Sequence, residues 1–131
     1  MIVVDGEMQC QLCARVHQKK WVHLGSHAFA FEPDKPVVPG HLIVAPTMHV
    51  RDAMANPTTT AQVFHYAAIL AAQQHMEAAN FITSIGRAAD AAFPHLHVHI
   101  IPRTEGDGLC LPWTPKPKQT STARKSSAGP M

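Results

Sequence analysis

The chain of 131 residues has only three cysteines, only 15% charged residues and no long apolar run. Its longest alanine and leucine stretch, residues 67–72, is far too short to span a bilayer. Its first residues lack the basic segment and the long apolar segment of a secretory signal. We therefore expect a cytoplasmic protein with no membrane partner. Apolar residues still make up 46% of the chain, which is enough for the core of one domain.

Acidic residues are absent from the C-terminal segment, residues 114–131. The whole chain has a net charge of +2, and this segment contributes four of the 11 basic residues, namely Lys116, Lys118, Arg124 and Lys125. The remaining part is therefore slightly acidic, which argues against a specific nucleic-acid partner. Proline, lysine, serine and threonine dominate the segment, and it has no aromatic residue. This composition predicts a disordered basic tail after a domain formed by residues 1–113.

Short strand signals surround one long helical segment. Residues 21–24, 27–31, 41–45, 81–84 and 95–101 predict strands, each close to proline, glycine or serine. Residues 58–79 are mostly alanine, glutamine and leucine, with Asn56 as the expected N-cap and Pro57 at the first helical position. The order of strands, helix and strands predicts an α+β fold with an antiparallel sheet. Residues 1–20 show no clear periodicity.

Three of the ten histidines alternate with apolar residues near the end of the predicted domain. On a strand, His95, His97 and His99 share one face, and consecutive side chains lie roughly 6.6–6.8 Å apart. Imidazole is suited to nucleophilic attack and to proton transfer near neutral pH. Two other interpretations remain open: a half-exposed strand with a polar face, and a catalytic zinc ion held by these histidines.

The segment His-Leu-His-Val-His-Ile-Ile at residues 95–101 resembles the signature of the histidine triad (HIT) family. The segment Pro-Gly-His-Leu-Ile-Val-Ala-Pro at residues 39–46, followed by His49, is similar to the central strand and turn of that family. The resemblance covers about residues 10–113. It implies a five-stranded antiparallel sheet with one long helix and a short one.

The resemblance also implies an activity, namely hydrolysis or transfer of a nucleotidyl group. In the family, the middle histidine attacks the α-phosphorus of a nucleotide and forms a nucleotidyl-histidine, which water or an acceptor resolves. Carried over, His97 is the nucleophile and His99 contacts the phosphate or the leaving group. The expected substrates are nucleoside 5′-phosphate conjugates of the phosphoramidate or dinucleoside polyphosphate type. The expected assembly is a homodimer.

Cys10 and Cys13 form a C-x2-C pair, which in a cytoplasmic chain indicates a metal or redox site. A closed tetrahedral site needs two further ligands. Zinc-containing members of the family pair such cysteines with the positions of His49 and His95. The resemblance therefore implies a structural zinc ion bound by these four residues.

Nucleotide contacts are expected from residues on loops near the triad. Ser84 and Gly86 lie where relatives contact the nucleotide, because a hydroxyl can donate and a glycine allows close approach of the backbone. Glu32 is the expected acceptor for the ribose hydroxyls, with Asp34 as its rival. His41 is expected near the triad face.

One departure from the family pattern affects the expected activity. Many relatives carry a glutamine and a hydroxyl residue where this chain has Ala91 and Ala92. Loss of one positioned donor can slow an enzyme about 10²–10³-fold. A non-catalytic nucleotide-binding module is therefore the alternative hypothesis.

Overall fold

The computed structural model describes residues 10–115. It contains two α-helices and five strands, followed here in chain order: α1 (Gln11–Gln18), β1 (His23–Leu24), β2 (Ala28–Phe31), β3 (Leu42–Pro46), α2 (Pro57–Gln73), β4 (Ala79–Ile82) and β5 (Val98–Pro102). A 3₁₀ turn covers Arg87–Ala89. Neither α-helix is long and apolar enough to cross a membrane. The predicted basic tail lies outside the described residues from position 116 onward.

The five strands form one antiparallel sheet in the order β1-β2-β3-β5-β4. Strand β3 is central and buried along its whole length, as its apolar sequence requires. Strand β5 pairs with β3 on one side and β4 on the other, so the histidine segment enters the middle of the sheet. The predicted α+β fold, with a five-stranded antiparallel sheet, one long helix and one short helix, is confirmed.

Each face of the sheet carries its own apolar cluster. Helix α2 covers one face, where Val63, Ala67 and Leu70 pack against Val44 and Val98. The opposite face carries the cysteines at the start of α1, packed with aromatic and aliphatic side chains of β2 and β3: Phe29, Phe31, Ile43 and Ala45. Because side chains alternate along a strand, the histidines of the triad lie on the α1 face while the intervening aliphatic residues face α2.

Helix α2 begins as predicted and ends earlier. The side chain of Asn56 accepts a hydrogen bond from the Thr59 amide at 3.1 Å, and Pro57 occupies the first helical position. The helix ends at Gln73, and His75 adopts a left-handed conformation with φ of 58°. The prediction that the helix continues to residue 79 is wrong, because Ala79 begins β4. Pairing of β4 with β5 overrides the helical propensity of this alanine-rich segment.

The first part of the histidine segment is also not a regular strand. The prediction of a strand over residues 95–101 is wrong at its start, because β5 begins at Val98. Ahead of it, two loops hold the chain. The Leu96 amide donates to the Val50 carbonyl at 2.6 Å, and the Thr83 hydroxyl donates to the His97 carbonyl at 2.7 Å. The segment is therefore extended and fixed without being part of a strand ladder.

Candidate active site and metal centre

Four predicted metal ligands meet between the start of α1 and the histidine segment. The ligand atoms of Cys10, Cys13, His49 and His95 all lie within 4.8 Å of one another. Cys10 caps α1, because its sulfur accepts a hydrogen bond from the Cys13 amide at 3.4 Å. This arrangement turns both thiols toward the two imidazoles. Among the described residues, the ligand atoms of His97 and His99 are not part of this group, which disfavours a zinc ion held by the triad.

The spacing of these atoms fits a tetrahedral ion. The Sγ to Nδ1 distances are 3.3 Å for Cys10 with His95, 3.2 Å for Cys13 with His49 and 3.5 Å for Cys13 with His95. A tetrahedral zinc ion with usual bond lengths separates sulfur and nitrogen ligands by about 3.5 Å. Nε2 of His95 donates to the Pro46 carbonyl at 3.0 Å, which leaves Nδ1 as the ligating nitrogen. Burial lowers the pKa of His95 to about 4, so the ring is neutral at neutral pH.

His97 has a defined tautomer. Its Nδ1 lies 2.8 Å from the carbonyl oxygen of His95, and a carbonyl can only accept, so Nδ1 carries the proton. In the neutral ring Nε2 is then the nitrogen with the free electron pair. Burial lowers the pKa of His97 and favours that neutral form. The ring therefore has a nucleophilic nitrogen on the side away from the backbone.

His99 is oriented by His41. The Val37 amide donates to Nδ1 of His41 at 3.0 Å, which leaves the proton on Nε2 of that ring. Nε2 of His41 lies 2.9 Å from Nδ1 of His99, which must accept, so the proton of His99 is on Nε2. Burial lowers the pKa of both rings, to about 4 for His99. A chain of hydrogen bonds thus starts at a backbone amide and ends in an N–H donor beside His97.

Phe93 covers the candidate nucleophile. The rings of Phe93 and His97 meet edge to face with centroids 5.0 Å apart, and His97 is only 2% exposed. His99 flanks His97 on the other side, with a centroid distance of 5.4 Å. A phosphorus atom can reach Nε2 of His97 only after the Phe93 ring has moved.

Replacement of this ring tests its covering role. We expect Phe93→Ala to increase severalfold the rate at which diethylpyrocarbonate modifies His97, because the main side chain that shields the imidazole is removed. Peptide mapping by mass spectrometry measures this rate. Phe64→Ala is the matched control, since Phe64 packs on the opposite, α2 face. An equal increase in both variants would mean general loosening of the fold and would contradict a specific cover.

Two cavities adjoin Phe93. The first, here called the α1 cavity, has a volume of about 310 Å³ and is lined by residues of α1, β2, β3 and the loop after β2: Gln11, Arg15, Phe31, Pro33, Asp34, Lys35, Ile43 and Phe93. The guanidinium of Arg15 lies 3.9 Å from the centre of the Phe31 ring. Ile43 pairs with His99 across β3 and β5, so this cavity lies next to the triad. Asp34 lines it, while Glu32, the residue predicted to contact ribose, is exposed and does not.

The second cavity, here called the arginine cavity, has a volume of about 540 Å³. It contains the predicted nucleotide contacts Ser84 and Gly86 together with the alanines at the departure from the family pattern, and its lining is Arg51, Asp52, Ser84, Gly86, Arg87, Ala91, Ala92, Phe93 and Pro94. Gly86 has a φ of 85°, a conformation that side-chain-bearing residues rarely adopt. The structure thus separates the predicted contacts: His41 and His99 lie together, whereas Ser84 and Gly86 lie beyond Phe93.

Comparison with known proteins agrees with this geometry. The profile of the HIT domain matches residues 14–106. The chain belongs to the HIT family. The nitrilase and fragile histidine triad fusion protein NitFhit of Caenorhabditis elegans is 34% identical over 86 residues, which is 62% of this chain and 20% of that protein. An uncharacterized 16.1 kDa HIT-like protein of Mycoplasma pneumoniae is 31% identical over 90 residues, 64% of this chain and 62% of that protein. The alignments therefore span less than two thirds of both relatives.

Solved HIT structures share the fold. A hypothetical histidine triad nucleotide-binding protein of Sulfolobus tokodaii superimposes with a TM-score of 0.66 and 28% identity, over 74% of this chain and 70% of that one. Family and fold are therefore those of HIT proteins.

Sequence reasoning missed several residues that border the site. Phe93 is a lone aromatic residue in an alanine-rich segment directly before Pro94, and this contrast was the available signal. Arg15 follows the cysteine pair by two positions, and Arg51 follows His49 by two. Arg87 has no sequence signal, because only the loop conformation brings it to the same cavity as Arg51.

Proposed function

We propose that this HIT protein is a nucleotide-binding hydrolase or transferase that cleaves nucleoside 5′-phosphate conjugates through a nucleotidyl intermediate on His97. The observation that carries this proposal is the hydrogen bond from Nδ1 of His97 to the His95 carbonyl. It fixes the tautomer in which Nε2 has the free electron pair, as a nucleophile requires. The S. tokodaii neighbour, described as nucleotide-binding, supports the same class of ligand.

The α1 cavity is the proposed site of the nucleoside. Phe31, Ile43 and Phe93 offer apolar contact to a base, and the volume of about 310 Å³ is in the range of small-molecule sites. Asp34 lines this cavity and is the better placed carboxylate for the ribose hydroxyls. A nucleoside bound here places its 5′-phosphate toward His97 and His99.

The proposed reaction has two steps. In the first, the Nε2 electron pair of His97 forms a bond to the α-phosphorus, and the bond to the leaving group breaks with its electrons on the leaving atom. His99 donates its Nε2 proton as a hydrogen bond to the phosphate or the leaving group. In the second step a water oxygen bonds to phosphorus, the bond to Nε2 breaks, and the nucleoside monophosphate leaves. The net change adds one water across the original bond.

The cysteine and histidine group is proposed to hold a structural zinc ion. Cys10, Cys13, His49 and His95 supply two sulfur and two nitrogen ligands, which close a tetrahedral shell without an open position. The ion, when bound, contributes cross-linking of α1 to the histidine segment. His95 is thereby held two residues before His97, so the position of the nucleophile is fixed.

The surrounding organisation follows the family pattern. We propose a HIT-like domain over residues 1–113 and a separate tail, a homodimer, and a cytoplasmic location. Free, buried Cys10 and Cys13 fit a reducing compartment. The edge strand β4 has one unpaired side and exposes Ile82, which suits contact with a second copy.

A turnover and trapping experiment tests the function. We expect the protein to release AMP from adenosine 5′-phosphoramidate or from diadenosine tetraphosphate. We also expect intact mass spectrometry without acid to show a transient gain of one nucleotidyl group. Binding of AMP with no turnover and no mass gain would instead support the non-catalytic nucleotide-binding module. That alternative is favoured by the two alanines at positions 91 and 92 and by the burial of His97.

A further inference from the structure

The arginine cavity contains two cationic side chains whose outer groups are unused. Nε of Arg51 donates to Asp52 at 3.0 Å, and the side chain of Arg51 is 71% exposed. Within residues 10–115, its two terminal amino groups make no hydrogen bond, and the Arg87 side chain makes neither a hydrogen bond nor an ion pair. The lining carries two positive charges and the one negative charge of Asp52. Asp90 is exposed in the adjacent turn and does not line the cavity.

The cavity adjoins the candidate nucleophile. Phe93 lines it and contacts His97, so the two are separated by a single ring. The hydroxyl of Thr83 donates to the His97 carbonyl, and the next residue, Ser84, lines the cavity. The α1 cavity adjoins the same Phe93 ring. A conjugate with its nucleoside in the α1 cavity and its α-phosphorus at His97 can therefore extend its other half into the arginine cavity.

The chemistry of the lining distinguishes the possible leaving groups. An amine must gain a proton when it leaves phosphorus, whereas a phosphate chain leaves as a stable anion. Among the described residues that line the cavity, Ser84 is the only hydroxyl. Asp52 offers no proton, because the hydrogen bond from Arg51 lowers the pKa of its carboxyl. Guanidinium groups bind phosphate oxygens well, often through two parallel hydrogen bonds.

We propose that the arginine cavity is the leaving-group site, and that Arg51 and Arg87 select conjugates whose leaving group is a phosphate chain. This inference rests on the proposed function and narrows its substrate class to dinucleoside polyphosphates and similar anhydrides. The bond from His97 Nε2 to the α-phosphorus forms as the bridging bond from phosphorus to oxygen breaks. The bridging oxygen keeps the electron pair and leaves with the remaining phosphates, whose charge the two arginines neutralise.

The kinetic test compares two substrates. We expect the double variant Arg51→Gln, Arg87→Gln to lower the ratio of kcat/KM for diadenosine tetraphosphate to kcat/KM for adenosine phosphoramidate about tenfold, since two charge-assisted contacts at an open site are lost. Lys20→Gln, an exposed residue outside both cavities, is the control for loss of positive charge and leaves the ratio unchanged. An unchanged ratio in the double variant overturns the inference.

A binding test decides the inference independently of turnover. Calorimetry measures the affinity of inorganic tripolyphosphate for the wild-type protein, the double variant and Lys20→Gln. We expect about tenfold weaker binding in the double variant alone. Equal affinity in all three proteins overturns the inference. Failure of the proposed function has a different signature, because neither substrate is turned over and no nucleotidyl group is trapped while tripolyphosphate binding still reports on the arginines.

Discussion

Replacement of His97 by alanine is expected to lower kcat/KM for nucleotidyl transfer by about 10⁴-fold or more, as removal of a covalent nucleophile commonly does. The reason is that only His97 combines a fixed Nδ1 proton with a free Nε2 beside a second imidazole. Release of AMP, measured by chromatography under single-turnover conditions, gives the rate. The nucleotidyl adduct should be absent from the variant.

His97→Asn is the sharper variant. The amide nitrogen of asparagine can take the place of Nδ1 and donate to the His95 carbonyl, while nothing replaces Nε2. Its loss of activity should equal that of the alanine variant, with less disturbance of the fold. His65→Ala, an exposed histidine on α2, controls for loss of an imidazole elsewhere. Retention of more than a tenth of wild-type activity in His97→Asn would remove His97 from the mechanism.

The second large effect concerns the metal centre. Cys10→Ser is expected to lower the bound zinc from about one ion per chain to a trace, because three protein ligands no longer close the shell. We expect the free energy of unfolding to fall by about 4 kcal/mol, as loss of a structural metal is among the largest single-residue effects. For a domain of this size the midpoint of thermal unfolding should fall by about 15 °C or more.

The chain provides its own control for this experiment. Cys110 is exposed and lies outside the metal group, so Cys110→Ser should keep both metal content and stability. Wild-type protein treated with a chelator should unfold at the same temperature as Cys10→Ser, because both lack the same cross-link. If Cys10→Ser and the chelated wild type are as stable as the untreated protein, the four residues do not hold a structural ion.

Local sequence patterns predicted the parts of the site that depend on residue spacing. The alternation from His95 to His99 placed the imidazoles on the α1 face, because side-chain direction in an extended chain has a period of two. The Asn56 and Pro57 cap marked the start of α2 for an equally local reason. The end of that helix was missed, because the turn at His75 serves the pairing of β4 with β5 and leaves no local mark.

The sequence by itself determined the family, the fold class and the residue types that can carry the chemistry. Only the tertiary structure decided which nitrogen of His97 is free, that Phe93 covers it, that Asp34 rather than Glu32 lines the α1 cavity, and that Arg51 and Arg87 share another. The physical reason is distance along the chain: Cys10 meets His95 over 85 positions and His41 meets His99 over 58. Such contacts depend on how the segments pack, which no local pattern specifies.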